Sequence, residues 1–405
     1  MMISKDRAYV WIWLPQHSQP VVCGVVNDRG GWYSFNYGRS YLNRVDAVAL
    51  FGMPLQSGQV PLPDGMSLHG ALRDALPDAW GQHVIMQNLT GRSGLAADTA
   101  DLTPLTYMLA SGSNRFGAID FQYSATEYVP RQDSASLAEL VNAADVLENG
   151  RFLPNELNIA FQHGTSIGGA RPKVTIEDGN EHWIAKLSAS TDLRPVVKQE
   201  ALGLYLAQLS GVNAVDWQLT KANGRDVLLV RRFDRADNQR IMTVSGLTVL
   251  ELDEMLGRYA TYPDLLDKLR QLGKDSDQTG VELFRRIAVN IALGNTDDHA
   301  RNHAMLWDGE QLRLSPAYDI DPCRTPGWDA AQAMAYGRNG ERSSVLAELI
   351  SCASVYGITR NQASEIVVGV IETINENYED GCDLVQLSKV EQKMLWQQVI
   401  LNPGC

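Results

Sequence analysis

Two aspartates and an asparagine in the second half of the chain have the types and spacing of a phosphoryl-transfer loop. Residues 295–302 read Asn295-Thr296-Asp297-Asp298-His299-Ala300-Arg301-Asn302, and Tyr318-Asp319-Ile320-Asp321 follows. In such a loop one Asp orients the attacking hydroxyl. An Asn five residues on, and a second Asp beyond a short strand, hold magnesium. Carboxylate and amide oxygens suit magnesium, a hard cation that takes further oxygens from phosphates. Of the adjacent pair, Asp297 stands five residues before Asn302 and is the candidate base. An Asp-x4-Asn spacing alone is common by chance. The bland alternative makes Asp297, Asp298 and His299 helix-end or solvent residues, so the weight of the motif depends on what else the chain supplies.

Three upstream features supply it. Lys186 ends the strand-like run His182-Trp183-Ile184-Ala185-Lys186, where a lysine can pair nucleotide α/β-phosphates. Glu200 follows on the next helix, placed for an ion pair with that lysine. The turn from Gly164 to Lys173 contains Ser166, Gly168 and Gly169, and adjacent glycines let backbone amides approach phosphate oxygens closely. It is neither a Walker A loop nor GxGxxG. The third feature is the run from Val230 to Asp234, at the junction of a β-rich and a helical region. Backbone in this run could hydrogen-bond adenine, and Asp234 is the candidate ribose carboxylate. The alternative for Arg232, Asp234 and Arg235 is a surface ion-pair cluster contributing little.

The elements that must position these residues follow from periodicity. Residues 7–36 alternate aromatic and β-branched residues and predict a small antiparallel meander. Residues 69–90 and 101–108 read as helices, with Leu76-Pro77-Asp78-Ala79-Trp80-Gly81 as a break and restart. Residues 137–147 carry one apolar face after a candidate cap at Ser134. Strands around the Asp178-Gly179-Asn180 turn, a helix at 196–210 and a strand at 226–235 make a β-rich lobe carrying one long helix. From residue 245 the pattern is helical, with a strand pair at 303–320 about Asp308-Gly309. The expected division is an N-terminal subdomain at 1–130, a β-rich lobe at 131–235 and a helical lobe at 236–405.

Composition excludes several classes. With 405 residues and a net charge of −13, the chain has length for two or three domains and a poor balance for gripping DNA by itself. No apolar run predicts a transmembrane helix or a signal peptide. The five scattered cysteines form no CxxC pair, which argues against zinc or a disulfide framework and fits a reducing cytoplasm. No GxSxG or HExxH motif supports a hydrolase.

Taken in order, five segments resemble the HipA-like serine/threonine kinases, the toxin part of bacterial toxin–antitoxin pairs. They are Ser166 to Lys173, Ile184 to Lys186, Arg232 to Arg235, Asn295 to Asn302 and Tyr318 to Asp321. Leu76-Pro77-Asp78-Ala79-Trp80-Gly81 resembles a segment of that family's N-terminal domain. The resemblance implies an α+β, two-lobed, protein-kinase-like fold with an added N-terminal β-containing subdomain and a mainly helical C-terminal lobe. It implies ATP and Mg2+ as cofactors, Asp297 as base and Asn302 and Asp319 as metal ligands. Lys186, Arg231, Phe233, Asp234, Ser166, Gly168, Gly169 and His299 would form the ATP-binding set. It further implies autophosphorylation of Ser166, with Thr165 adjacent, and a helix-turn-helix antitoxin as partner, so that DNA is met only indirectly. The protein substrate would belong to the translation machinery, the family's best-known target being an aminoacyl-tRNA synthetase. Asp298 departs from the family, which often has Gly there. His-Arg-Asp and Asp-Phe-Gly, the marks of ordinary protein kinases, are absent.

Two other readings use the same residues. A small-molecule or lipid kinase would phosphorylate metabolite pools in place of protein. A pseudokinase corepressor would bind ATP without turnover and tighten operator binding by a DNA-binding partner.

Overall fold

Alternating aromatic and β-branched residues make the first strands, as their period of two predicts. The structure is a computed structural model that describes residues 6–92, 98–131, 136–148, 172–188, 192–236, 239–273, 276–323 and 330–405. Strands β1 (Arg7–Ile12), β2 (Val21–Asp28) and β3 (Tyr33–Tyr37) form the antiparallel meander. The two-residue β4 (Gln59–Val60) extends it past β3, and β5 (Ile119–Gln122) pairs with β1 on the other side. At Gly24 a Cβ would meet the Asn36 carbonyl oxygen and the Phe35 ring at 2.5 Å, so glycine lets Phe35 lie against β2.

Local chemistry starts the helices of this half. Asp78 caps α1 (Ala79–Thr90) by accepting from the Gly81 amide at 2.5 Å, so the Leu76-Pro77-Asp78 break is a helix start. Thr103 caps α2 (Pro104–Ala110), with Pro104 in the first turn where its missing N–H is harmless. Ser136 and Glu139 cap α3 (Leu137–Glu148) reciprocally. The expected cap Ser134 and the Gly-rich turn with Ser166, Gly168 and Gly169 lie outside the described residues.

Strands β6 (Lys173–Asp178) and β7 (Glu181–Leu187) form a hairpin over Gly179-Asn180, with Gly179 left-handed at φ +60°. With β8 (Trp217–Ala222) and β9 (Arg225–Arg231) they make a sheet of order β6-β7-β9-β8. Val84 of α1 and Leu140, Val141 and Ala144 of α3 share a buried core with Val174, Ala185, Leu187 and Val227 of this sheet. The short β10 (Arg235–Ala236) and β11 (Gln239–Arg240) pair, and β12 (Thr243–Ser245), β13 (Ala304–Trp307) and β14 (Leu312–Leu314) form a three-stranded sheet.

Helices dominate the rest: α4 (Val196–Leu209), α5 (Tyr262–Leu272), α6 (Ser276–Leu293), α7 (Leu346–Ser351), α8 (Arg360–Leu384) and α9 (Lys389–Leu395). On α6, Leu283, Phe284, Ile287, Ala288, Ile291 and Ala292 are buried, the face that helical periodicity predicts. Among the described residues no helix is long and apolar enough to cross a membrane.

The chain divides into two compact units. The first holds Met1–Thr191, Thr220–Val244 and Leu306–Gly309, and the second holds Asp192–Leu219, Ser245–Met305 and Glu310–Cys405. This differs from the expected divisions at residues 130 and 235. The shared core of α1, α3 and the β6-β7-β9-β8 sheet fuses the N-terminal part with the β-rich lobe. Helix α4 instead belongs to the helical unit: at Gly203 any Cβ would strike the backbone oxygen of Ile320, and at Gly381 of α8 it would strike Leu202 and Tyr205 at 2.7 and 2.9 Å.

Candidate active site

The loop that carries Asp297 begins where α6 is made to stop. Gly294 is left-handed at φ +70°, and a Cβ there would lie 2.6 Å from the Val399 carbonyl oxygen. The Asn295 amide bonds the Asn290 carbonyl at 2.8 Å and the Gly294 amide bonds that of Ile291 at 3.1 Å, a Schellman end that turns the chain sharply. The Asn295 side chain then donates to Asn290 Oδ1 at 3.0 Å. Two residues further on, the neighbouring aspartates part company.

Asp297 is exposed, and Asp298 is 4% exposed. The Asp298 Oδ2 accepts from Asn290 Nδ2 at 2.6 Å, from the Tyr262 hydroxyl, and pairs with His303 Nε2 at 3.1 Å. Burial pushes the Asp298 carboxyl up. His303, by charge and hydrogen bond, and the Tyr262 hydroxyl outweigh that and hold it below the usual range. Asp298 is therefore a structural anion inside the loop.

Asn302 ends a single 3-10 turn, Ala300–Asn302, and its Nδ2 donates to the Asp297 carbonyl oxygen at 3.2 Å. Its amide nitrogen is thereby committed, leaving the amide oxygen as the free donor atom for a cation. Asp319 is half-buried and holds φ +61°, a left-handed conformation that Asp tolerates better than most residues. Asp321, two residues on, is gripped by Arg194 through Nη1–Oδ1 at 3.0 Å and Nη2–Oδ2 at 2.6 Å. Asp321 is thus held by an arginine fork.

The Asp297 carboxyl is raised above its ordinary value by partial burial, and by the charges of Asp319, Asp298 and Asp321 against the opposing effect of His299. That mutual influence places Asp297, His299 and Asp319 in one cluster of the helical unit. Among the described residues no group of three or more His, Cys, Asp or Glu is arranged to hold a metal by itself. One carboxylate and one amide oxygen fit a magnesium ion that brings phosphate oxygens with it. Glu200 is buried on α4 of the same unit, 5% exposed.

The first unit holds the remaining candidates. Lys186 lies on β7, 9% exposed, in register with Lys173 of β6 and Leu228 of β9. Arg231 ends β9 at the surface, 3.5 Å from Glu181, and Phe233 packs edge-on against Phe116. Asp234, the expected ribose carboxylate, is not left to solvent. It is 2% exposed, and its carboxylate accepts from Arg232 Nε and Nη2 at 2.9 and 2.8 Å, from Arg235 Nη1 at 3.0 Å and from the Gly117 amide at 2.8 Å. Arg232 and Arg235 also bond Asn114 and the Arg115 carbonyl. Burial opposes the Asp234 charge, but the two guanidiniums hold its carboxyl well below the usual range. Nor is this a surface ion-pair cluster: the Arg232-Phe233-Asp234-Arg235 run is a buried tie between the first sheet's domain and the second sheet.

Residues 165–378 match the HipA-like C-terminal domain, and residues 17–122 match the HipA N-terminal domain. The chain belongs to the HipA-like family. It is similar to Y4mE of Sinorhizobium fredii, whose name calls it a kinase, with 28% identity over 193 residues covering 42% of this chain and 45% of that one. The match thus spans less than half the length of that curated relative. Among solved structures it is similar to HipA of Shewanella oneidensis, seen in a complex with HipB and operator DNA. There the TM-score is 0.69 at 16% identity, covering 98% of this chain and 96% of that chain. A likeness at that identity establishes the fold, and the α+β, HipA-like architecture expected from the sequence is the one observed.

In this HipA-like chain, sequence reasoning missed Tyr262, Asn290 and Arg194, and it left His303 as a structural or surface histidine. One signal was present: Asp298 and His303 repeat, one position later, the five-residue spacing of Asp297 and Asn302.

Proposed function

We propose that this chain is an ATP- and magnesium-dependent serine/threonine kinase serving as the toxin of a toxin–antitoxin pair. The observation that carries the reading is the cluster of Asp297, Asn302 and Asp319, with the adjacent Asp298 and Asp321 each committed to protein partners. Asp297 orients a substrate hydroxyl, whose oxygen bonds the γ-phosphorus as the bond to the β–γ bridging oxygen breaks, and Asp297 takes the proton. Asn302 and Asp319 are the ligands for magnesium, which when bound neutralises charge on the phosphate oxygens. Lys186 contacts the α/β-phosphates, backbone at Arg231 and Phe233 holds the adenine, and His299 joins the ATP-binding set. Asp234 is left out, because its carboxylate is consumed inside the first unit.

The Gly-rich turn with Gly168 and Gly169 covers the phosphates in this reading, and Ser166 is its autophosphorylated serine. The substrate is a protein of the translation machinery, as in the family's best-known case. A helix-turn-helix antitoxin is the proposed partner, supported by the HipB and operator DNA seen with the Shewanella protein. The net charge of −13 suits a chain that meets DNA through such a partner.

The test is phosphate transfer from labelled ATP, with mass spectrometry of the purified protein. Wild type is expected to carry phosphate on Ser166. Asp297→Asn is expected to lose about 10²–10⁴-fold in transfer rate with an unchanged melting temperature. Full transfer by Asp297→Asn would remove Asp297 from its role. Label entering metabolites but never protein would favour a small-molecule kinase.

A further inference from the structure

The loop from Asp297 to His303 carries two braces of the same length, side by side. One is the Asn302 side chain on the Asp297 carbonyl, at 3.2 Å. The other, shifted by one residue, is His303 on Asp298 at 3.1 Å. The first brace joins the two residues assigned to chemistry, and the second is buried directly behind it. His303 is 2% exposed and Tyr262 is fully buried, its ring edge-on to the His303 imidazole at 5.3 Å.

Three further elements fix the buried brace. Tyr262 comes from the first turn of α5, and Asn290 from the last turn of α6. The Gly246 amide bonds the His303 carbonyl at 2.7 Å, and a Cβ at Gly246 would lie 2.7 Å from the Ala300 carbonyl oxygen. Backbone therefore packs on backbone at this point of the loop. No catalytic role so far accounts for Tyr262, Asn290, Asp298 or His303. Their side chains nevertheless meet on one carboxylate oxygen within a residue of both Asp297 and Asn302.

We propose that the Asp298–His303 brace, clamped by Tyr262 and Asn290, is the positioning device that holds Asn302, next to His303, in place and so sets the divalent-cation affinity of the site. The inference rests on the kinase reading for what the cation serves, but its geometry does not. Partners that orient metal ligands from behind change affinity or activity by about 10–100-fold when removed. A brace that fixes Asn302 should act on cation binding and turnover together. It should leave binding of metal-free nucleotide unchanged, because that is assigned to other residues.

Mn2+ serves as probe, with its binding to the full chain measured by electron paramagnetic resonance in the presence of a non-hydrolysable ATP analogue. Phosphate transfer is followed separately. Tyr262→Phe, which removes only the hydroxyl, His303→Leu and Asp298→Asn are each expected to weaken Mn2+ by about 10–100-fold, with a parallel fall in kcat. His303→Gln, which can return a donor nitrogen to Asp298, is expected to recover most of the loss. The double variant Asp298→Asn/His303→Leu should be little worse than either single one, since both remove the same brace.

The proposal is overturned if folded Tyr262→Phe and His303→Leu proteins, verified by circular dichroism and melting, bind Mn2+ as wild type does. It is equally overturned if His303→Gln restores melting temperature but not Mn2+ affinity, which would mark a purely structural pair. A wild type that binds Mn2+ with nucleotide but transfers no phosphate would sink the kinase reading and leave the brace standing.

Discussion

Asp297, Asp298, Asp319 and Asp321 flank the candidate site, and their surroundings differ. Asp298 is bonded by Asn290, Tyr262 and His303 and Asp321 by Arg194, and the charge of Asp319 acts on Asp297. Like charges held together without a cation are unfavourable, which suits a site completed by a metal and phosphates. Asp234 illustrates the opposite outcome. Its carboxylate joins Arg232, Arg235 and the Gly117 amide in a buried knot. Removing one partner of a buried ionic network strands the remaining charges. Asp234→Asn is therefore expected to lower stability by about 3–5 kcal/mol, read as a fall in the urea midpoint. An unchanged midpoint with weakened nucleotide binding would return Asp234 to the ribose role.

At the scale of elements, glycines decide how closely the supporting helices approach the loops. Gly203 lets α4 lie against the backbone at Ile320, between the candidate metal ligand Asp319 and the arginine-held Asp321. Gly294 ends α6 where its left-handed φ of +70° and the nearby Val399 carbonyl both exclude a side chain. Overpacking of this kind typically costs about 1–3 kcal/mol. Gly203→Ala is expected to fall in that range by chemical denaturation and to weaken Mn2+ binding, because the 318–321 segment must shift. A denaturation curve and Mn2+ affinity matching wild type would show that α4 does not hold that segment.

For the whole molecule, buried carboxylates link stability to pH. Asp120 is fully buried among Arg115, Arg131, Ser113 and Gln122, and despite the opposing effect of burial its carboxyl is held down to about 2. Asp234 and Asp298 are shifted in the same direction. A carboxyl whose folded pKa lies below its unfolded value near 3.8 binds fewer protons when folded. Its contribution is then present above that unfolded value and is lost as pH falls through the folded one. The urea midpoint is expected to drop between about pH 4 and pH 2, in the window these shifts set. A midpoint insensitive to acid down to pH 2 would contradict the charged state of these groups.

The sequence by itself determined the order and type of most elements, because caps, hairpin turns and apolar periodicity act over a few residues. Asp78 before α1, Thr103-Pro104 before α2, Gly179-Asn180 between β6 and β7 and the apolar face of α6 were all legible. So was the motif series that pointed to the HipA-like family. Helix α8 runs to Leu384, and tertiary packing buries Tyr378, Gly381 and Cys382 in its last turns. What a carboxylate does depends on which groups the fold brings to it, and no local rule supplies that. Tyr262 reaches Asp298 from 36 residues away, and Gly117 reaches Asp234 from 117. Spacing could favour Asp297 over Asp298, but only the tertiary structure turned one carboxylate out and buried the other. The same long-range contacts tied Asp234 to Gly117 and the arginines and revealed the brace beside Asp297 and Asn302.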